Sequence, residues 1–363
     1  MMQQFEHGGN LYAAARQSGG GLEDYLDFSA NINPLGLADS ARQAILAALD
    51  SVVHYPDAEA TALKQAISRQ YGVAGERIIA GNGAVELLYL LCHVLRPRRV
   101  LIPAPAFSEY ERSARAAGAA VTYHFLRPED GFAVELQPLI DKLTAVDMVF
   151  LGNPNNPTAV LLTRTQLEQL LAAAKARQVS VVVDESFLDF LPDDSAYSCR
   201  PLLDAYPNLF ILHSLTKFYA MPGLRLGFAL ANSALTAKLH EAKDPWNVNC
   251  LAQAAGVAAL ADSDYRRRSR EMLAQQKQLL HRQLNEIPGL NAYPPAANFI
   301  LIDIVKTGLT AAALRQALLA QNILIRDCGN YPGLTPNYIR VAVKRPEQNQ
   351  RLLQALQTVL RKN

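Results

Sequence analysis

The chain has 363 residues, half of them hydrophobic. That is ample for one large core or two lobes, and too long for a single small domain. The 35 basic and 33 acidic side chains leave a net charge of +2 with no basic block, which argues against nucleic acid as a main partner. The first ten residues are polar and show no signal segment, and no apolar run approaches the ~20 residues that span a bilayer. Cys92, Cys199, Cys250 and Cys328 are scattered. They offer neither metal-ligand spacing nor a disulfide framework, so a reducing cytoplasm is the expected location.

In chain order, residues 1–39 are rich in glycine, asparagine and polar groups. His7-Gly8-Gly9-Asn10 and Asp27-Phe28-Ser29-Ala30-Asn31-Ile32-Asn33-Pro34 are poor helix formers. Such a segment is either a frayed arm or a functional loop laid over a site. Apolar spacing predicts helices over 40–49 and 61–71, separated by the breaker His54-Tyr55-Pro56-Asp57. Ile78-Ile79-Ala80 reads as a strand that runs through Gly81-Asn82-Gly83 into a helix over 84–95. A strand, a glycine turn and a helix N-terminus together suit a phosphate, because exposed N–H groups and the helix dipole meet there.

Alternation continues with strands over 100–102, 121–125, 148–151 and 179–183 and helices between them. Most of these strands are continuous apolar runs, which favours a largely parallel sheet covered on both faces. Ligands sit at the carboxyl ends of such strands. Gly83, Phe107, Asn156, Asp184 and Lys217 each fall just after a predicted strand and are expected to cluster. After residue 230 the pattern changes. A long helical region over 252–285 is followed by strands over 299–304, 323–326 and 338–343, with helices over 310–320 and 347–361. This reads as a smaller α+β lobe.

The stretch Ser214-Leu215-Thr216-Lys217 follows the buried run Leu209-Phe210-Ile211-Leu212 and precedes a proline- and glycine-broken turn to Arg225. A free lysine amine titrates near pKa ~10.4 and is a poor nucleophile at neutral pH. Desolvation or a second cation lowers that value and allows attack on an aldehyde. The hydroxyls of Ser214 and Thr216 and the Arg225 guanidinium suit a phosphate.

Asn153-Pro154-Asn155-Asn156-Pro157-Thr158, Asp184-Glu185, Ser214-x-Thr216-Lys217 and Arg225 together resemble the fold-type-I pyridoxal-phosphate enzymes, the aspartate aminotransferase superfamily. The resemblance covers nearly the whole chain in order, with 28 positions from Asn156 to Asp184 and 33 more to Lys217. It implies a large domain with a mostly parallel seven-stranded sheet covered by helices, plus a smaller α+β domain. The divisions expected are an arm over 1–39, a cofactor-binding domain over 40–245 and a C-terminal domain over 246–363.

The resemblance also implies roles. Lys217 would bond the cofactor aldehyde and move protons at the substrate Cα. Asp184 would pair with the pyridine nitrogen, so that the ring acts as an electron sink. Asn156 would meet the ring hydroxyl and Phe107 would stack on the ring. Gly83, Ala84, Ser214, Thr216 and Arg225 would hold the phosphate. Tyr55 resembles the tyrosine that reaches a partner subunit's site, which implies a two-fold dimer with shared active sites.

Within the superfamily the pattern is closest to the threonine-phosphate decarboxylases and the histidinol-phosphate aminotransferases. His7-Gly8-Gly9-Asn10 with Asn31 resembles the decarboxylase arm. Phe187 stands where the aminotransferases usually carry a tyrosine. The expectation is therefore loss of carbon dioxide from threonine phosphate, a step in cobalamin biosynthesis, with amino transfer to 2-oxoglutarate as the rival. Arg340 would bind the substrate carboxylate, and Arg326 with His7, Gly8 and Asn31 the phosphate, because arginine's fork suits both groups. A ligand sensor on this fold would need a DNA-binding module, for which no segment is available. Gly81-x-Gly83 is not a dinucleotide fingerprint, since position 86 is glutamate.

Overall fold

A computed structural model describes residues 8–361. The chain opens with helix α1 (Leu11–Ser18), a short β1 (Leu26–Asp27), then α2 (Asp39–Ala47) and α3 (Thr61–Tyr71). Next come β2 (Ile78–Gly81), α4 (Ala84–Leu95), β3 (Arg99–Ala104), α5 (Ser108–Ala116) and β4 (Ala120–Phe125). The large sheet is completed by β5 (Met148–Gly152), β6 (Ser180–Asp184), β7 (Leu209–Ser214) and β8 (Gly227–Leu230). Five strands follow near the C-terminus: β9 (Asn291–Ala292), β10 (Phe299–Asp303), β11 (Ile323–Leu324), β12 (Arg326–Asp327) and β13 (Tyr338–Ala342).

The seven-stranded sheet has the order β2-β8-β7-β6-β5-β3-β4, and β8 is its one strand running against the others. Its inner strands are continuous apolar runs because both faces are covered, while the edge strand β4 is half exposed. Side chains alternate between two cores: Val181, Val183 and Ile211 enter one, while Val182, Phe210 and Leu212 enter the other. The same alternation sends Asp184 and Ser214 to the α4–α5 face and His213 to the opposite one. The smaller lobe carries the antiparallel order β12-β13-β10-β9.

Three features depart from the sequence-based expectation. The arm contains a helix, α1, whose N-cap Asn10 accepts a hydrogen bond from Ala13 N. The long helical region is two helices, Cys250–Ala261 and Ser263–Asn285. Asp262 breaks it by capping the second, with Tyr265 N donating to its carboxylate at 2.8 Å. The strand expected over 323–326 is split, since β11 pairs with β1 of the arm and β12 pairs with β13.

From Gly8 onward the arm is tied to the rest of the fold and is not frayed. Besides the β1–β11 pairing, Ala342 N donates to Phe28 O, and Asn33 N donates to Lys217 O at 3.0 Å. Among the described residues no helix is long and apolar enough to cross a membrane.

Candidate active site

A cavity of about 420 Å³ opens at the carboxyl ends of the parallel strands. Phe107, Asn156, Asp184, Ser214, Thr216 and Lys217 reach it from the large sheet's strand ends. Gly8 and Asn31 enter from the arm, Ala84 from the start of α4, Arg225 from the turn before β8, and Arg326 and Arg340 from the small lobe. His7 lies outside the described residues. Tyr55 is not part of this cavity: it is 78 % exposed and stacks on Trp246, ring centroids 4.4 Å apart.

Lys217 sits on a single helical turn, Leu215–Phe218, directly after β7. Ser214 starts that turn, and its Oγ lies 2.7 Å from Thr216 Oγ1. Asn33, absent from the sequence-based candidates, fixes the turn from outside. Its Nδ2 donates to Phe218 O and to Ser269 Oγ, both at 2.8 Å. Burial lowers the Lys217 amine to about 8, with the charges of Arg340 and Arg225 adding to the effect.

Arg225 adopts a left-handed backbone (φ 59°) and lies against Gly83. A Cβ on Gly83 would stand 2.5 Å from Arg225 Nη2, and Gly83 itself has φ +81°. Only glycine gives both the conformation and the close approach. The N–H groups at the start of α4, two hydroxyls and a guanidinium thus converge at one end of the cavity, a set of donors that fits a phosphate dianion.

At the end of β6, Asp184 Oδ1 accepts from Ser186 N at 2.9 Å and Oδ2 accepts from the Tyr110 phenol at 2.8 Å. Burial raises its carboxyl above the usual range, while these hydrogen bonds work the other way. Tyr110 is absent from the sequence-based candidates, although it stands three residues after Phe107, the residue that leads into α5.

Arg326 and Arg340 are register partners on β12 and β13. Both are buried. Arg340 donates Nη1–H to Asn156 Oδ1 and Nη2–H to Ser29 O, and its Nε finds no partner among the described residues. Arg326 donates to Asn330 Oδ1 at 2.8 Å and lies 5.3 Å from the Tyr331 ring centroid. Asn31 Oδ1 is buried without a partner among the described residues. Phe187 lines the cavity and meets Phe299 edge-on at 5.0 Å.

Residues 23–356 match the family described as aminotransferase class I and II. The chain belongs to that family. Among its similar members is the threonine-phosphate decarboxylase of Salmonella typhimurium, 39% identical over 98% of this chain and 96% of the relative. A crystal structure of L-threonine-O-3-phosphate decarboxylase from Porphyromonas gingivalis superposes with a TM-score of 0.81. It is 29% identical and covers 92% of this chain and 99% of its own. The histidinol-phosphate aminotransferase of Sinorhizobium meliloti, solved in complex with pyridoxal-5'-phosphate, gives a TM-score of 0.86 at 25% identity over 100% of both chains. The chain thus shares the fold of these structures, with its large, mostly parallel seven-stranded sheet and a smaller antiparallel one.

Proposed function

We propose that this protein removes carbon dioxide from L-threonine O-3-phosphate to give (R)-1-aminopropan-2-yl phosphate, using pyridoxal 5'-phosphate, and so supplies the aminopropanol linker of cobalamin. The observation that carries this reading is the pair Arg326 and Arg340. They are opposed across adjacent strands and both line the cavity that contains Lys217 and Asp184. Two guanidinium groups match a substrate with two anionic ends.

The residues present fit the cofactor. Gly83, Ala84, Ser214, Thr216 and Arg225 suit its phosphate. Asp184 offers a buried carboxylate for a protonated ring nitrogen. Because Asn156 Oδ1 accepts from Arg340, the Asn156 amide N–H is left to donate to a ring oxygen. When bound, pyridoxal phosphate supplies an aldehyde for an amine and a ring that takes up the electron pair released at Cα.

The chain's own groups do the rest. Arg340 orients the α-carboxylate so that its bond to Cα is the one that breaks. Arg326, Asn31 and the arm around Gly8 hold the phosphate end. His7 belongs to the same reading of the arm. Lys217 returns a proton to Cα after carbon dioxide leaves, a task its lowered amine pKa suits. Phe187 presents no hydroxyl to the cavity, which supports decarboxylation over amino transfer.

The reading extends to assembly and location. Leu46, Leu49, Val52, Val53 and Tyr55 are exposed beside one another at the end of α2 and beyond, an apolar face that suits a two-fold dimer in which Tyr55 serves the partner's site. We divide the chain into an arm over 1–39, a cofactor-binding domain over 40–245 and a C-terminal domain over 246–363. The four cysteines are unpaired, in keeping with a cytoplasmic enzyme.

The deciding assay supplies threonine phosphate without any keto acid. Release of carbon dioxide with stoichiometric amino-alcohol phosphate is the expected result. Turnover that appears only when 2-oxoglutarate is added would instead mark a histidinol-phosphate-type aminotransferase.

A further inference from the structure

We propose that Tyr110 is a positioning residue of this site: its phenol O–H, 2.8 Å from Asp184 Oδ2, holds that carboxylate in place and in its charged form toward the cofactor's ring nitrogen. This rests on the role given to Asp184 above.

Three observations support it. First, Tyr110 is almost wholly buried, yet it lines the cavity. Its ring is clamped in a parallel stack on Phe150, centroids 5.4 Å apart and planes 4° apart, and meets Phe107 edge-on at 5.6 Å. The hydroxyl therefore has one fixed address. Second, the Asp184 carboxylate is buried, and among the described residues its hydrogen bonds come from Ser186, through backbone and side chain, and from Tyr110. A buried charge needs such donors, and losing one leaves the desolvation cost uncompensated. Third, the phenol can only be the donor here. Burial and the Asp184 charge push its titration well above the ordinary tyrosine value. The ring that contacts Phe107 is thus the one that steadies Asp184, so one side chain joins the face and the nitrogen end of the cofactor's seat.

The test uses holoenzyme loaded with pyridoxal phosphate isotope-labelled at the ring nitrogen, whose NMR signal separates protonated from neutral pyridine. Asp184→Asn should move that signal toward the neutral form. Tyr110→Phe keeps the stacked ring and removes only the hydroxyl. It should move the signal the same way and lower kcat by about ten- to a hundred-fold, the size expected for one hydrogen bond to a charged group. KM for threonine phosphate should stay within about two-fold, since no substrate contact is lost. Adding Tyr110→Phe to Asp184→Asn should change nothing further, because Tyr110 acts through Asp184. Phe150→Leu loosens one face of the stack but keeps the hydroxyl and its Phe107 contact, and it should shift the signal clearly less than Tyr110→Phe does.

An unmoved signal in Tyr110→Phe, while Asp184→Asn shifts it, overturns the inference and leaves the reading of Asp184 standing. An unmoved signal in Asp184→Asn overturns both. An equal shift in Phe150→Leu assigns the effect to ring packing and overturns the inference.

Discussion

Arg340 and Asn156 are joined side chain to side chain, Nη1–H to Oδ1, across the boundary between the small lobe and the large one. The same guanidinium donates to Ser29 O of the arm at 2.9 Å. One planar group thus fastens three parts of the chain, and its buried Nε has no partner among the described residues. Lysine has the charge without the fork. Arg340→Lys should therefore lower kcat/KM for threonine phosphate by about a hundred-fold or more, the cost of a lost charge-assisted pair and of a loosened Asn156. Steady-state kinetics check this. A loss under about three-fold would show that the charge alone suffices.

The lowered amine of Lys217 predicts how apoprotein takes up its cofactor. Attack on the aldehyde needs the free base. With a value of about 8 instead of the ordinary 10.5, the loading rate should climb with pH and level off soon above 8. Arg340→Gln removes one of the charges that hold the value down, so its midpoint should move to higher pH. Stopped-flow absorbance of apoprotein mixed with pyridoxal phosphate measures both. A midpoint near that of an ordinary lysine would show that the amine is not desolvated.

Gly83→Ala tests the phosphate end. The added Cβ meets Arg225 Nη2 at 2.5 Å on a backbone at φ +81°. Positive φ with an extended ψ of 157° is essentially a glycine conformation and costs another residue about 1–3 kcal/mol, and Arg225 must also move. Cofactor affinity should fall by about ten-fold or more, read by absorbance titration of apoprotein, with the far-ultraviolet dichroism unchanged.

His213 lies on β7 next to Ser214 but on the sheet's other face. It stacks flat on Phe228, with centroids 4.9 Å and planes 3° apart, and neither ring nitrogen has a hydrogen-bond partner among the described residues. Tyr71 leans on it, and Asp189 Oδ2 stands 3.8 Å from Nδ1. Burial lowers its titration from 6.5 to about 4. The unfolded chain takes up this proton near 6.5 and the folded chain only near 4. Folding stability is therefore lost as pH falls through that window, by about 3 kcal/mol in all. His213→Phe should abolish this part of the acid sensitivity. The check is the difference in urea midpoint between the two proteins, which should grow as pH drops from 7 to 4.

Much of this was legible in the residues. The strands and helices of the large lobe follow from periodicity alone, because all its strands but the edge strand β4 are buried on both faces and its helices are amphipathic or wholly apolar. That Lys217, Asp184, Asn156 and Phe107 line one cavity follows from each standing just after a strand, while Arg326 and Arg340, which line it too, were suggested by the family resemblance. What escaped notice depends on contacts distant in sequence. Asn33 matters through a carbonyl 185 positions away. Tyr110 matters through an oxygen 74 positions away. The split between β11 and β12 follows from two different partners, the arm and β13, which no local pattern around Ile325 encodes. Asp262 could have been read, since an aspartate before a serine-led helical run is a common cap.

The pairing of Leu26 and Asp27 with Ile323 and Leu324, with the Phe28 carbonyl receiving Ala342 N, has a consequence for biosynthesis. A nascent polypeptide that has reached the end of β13 already has every described residue that lines the cavity. One that stops before residue 323 lacks both the strand that seats the arm and the two arginines. Such a product can collapse around the large sheet, yet it leaves the amine-bearing turn without its outer brace, so competence should arrive late and all at once as the ribosome finishes.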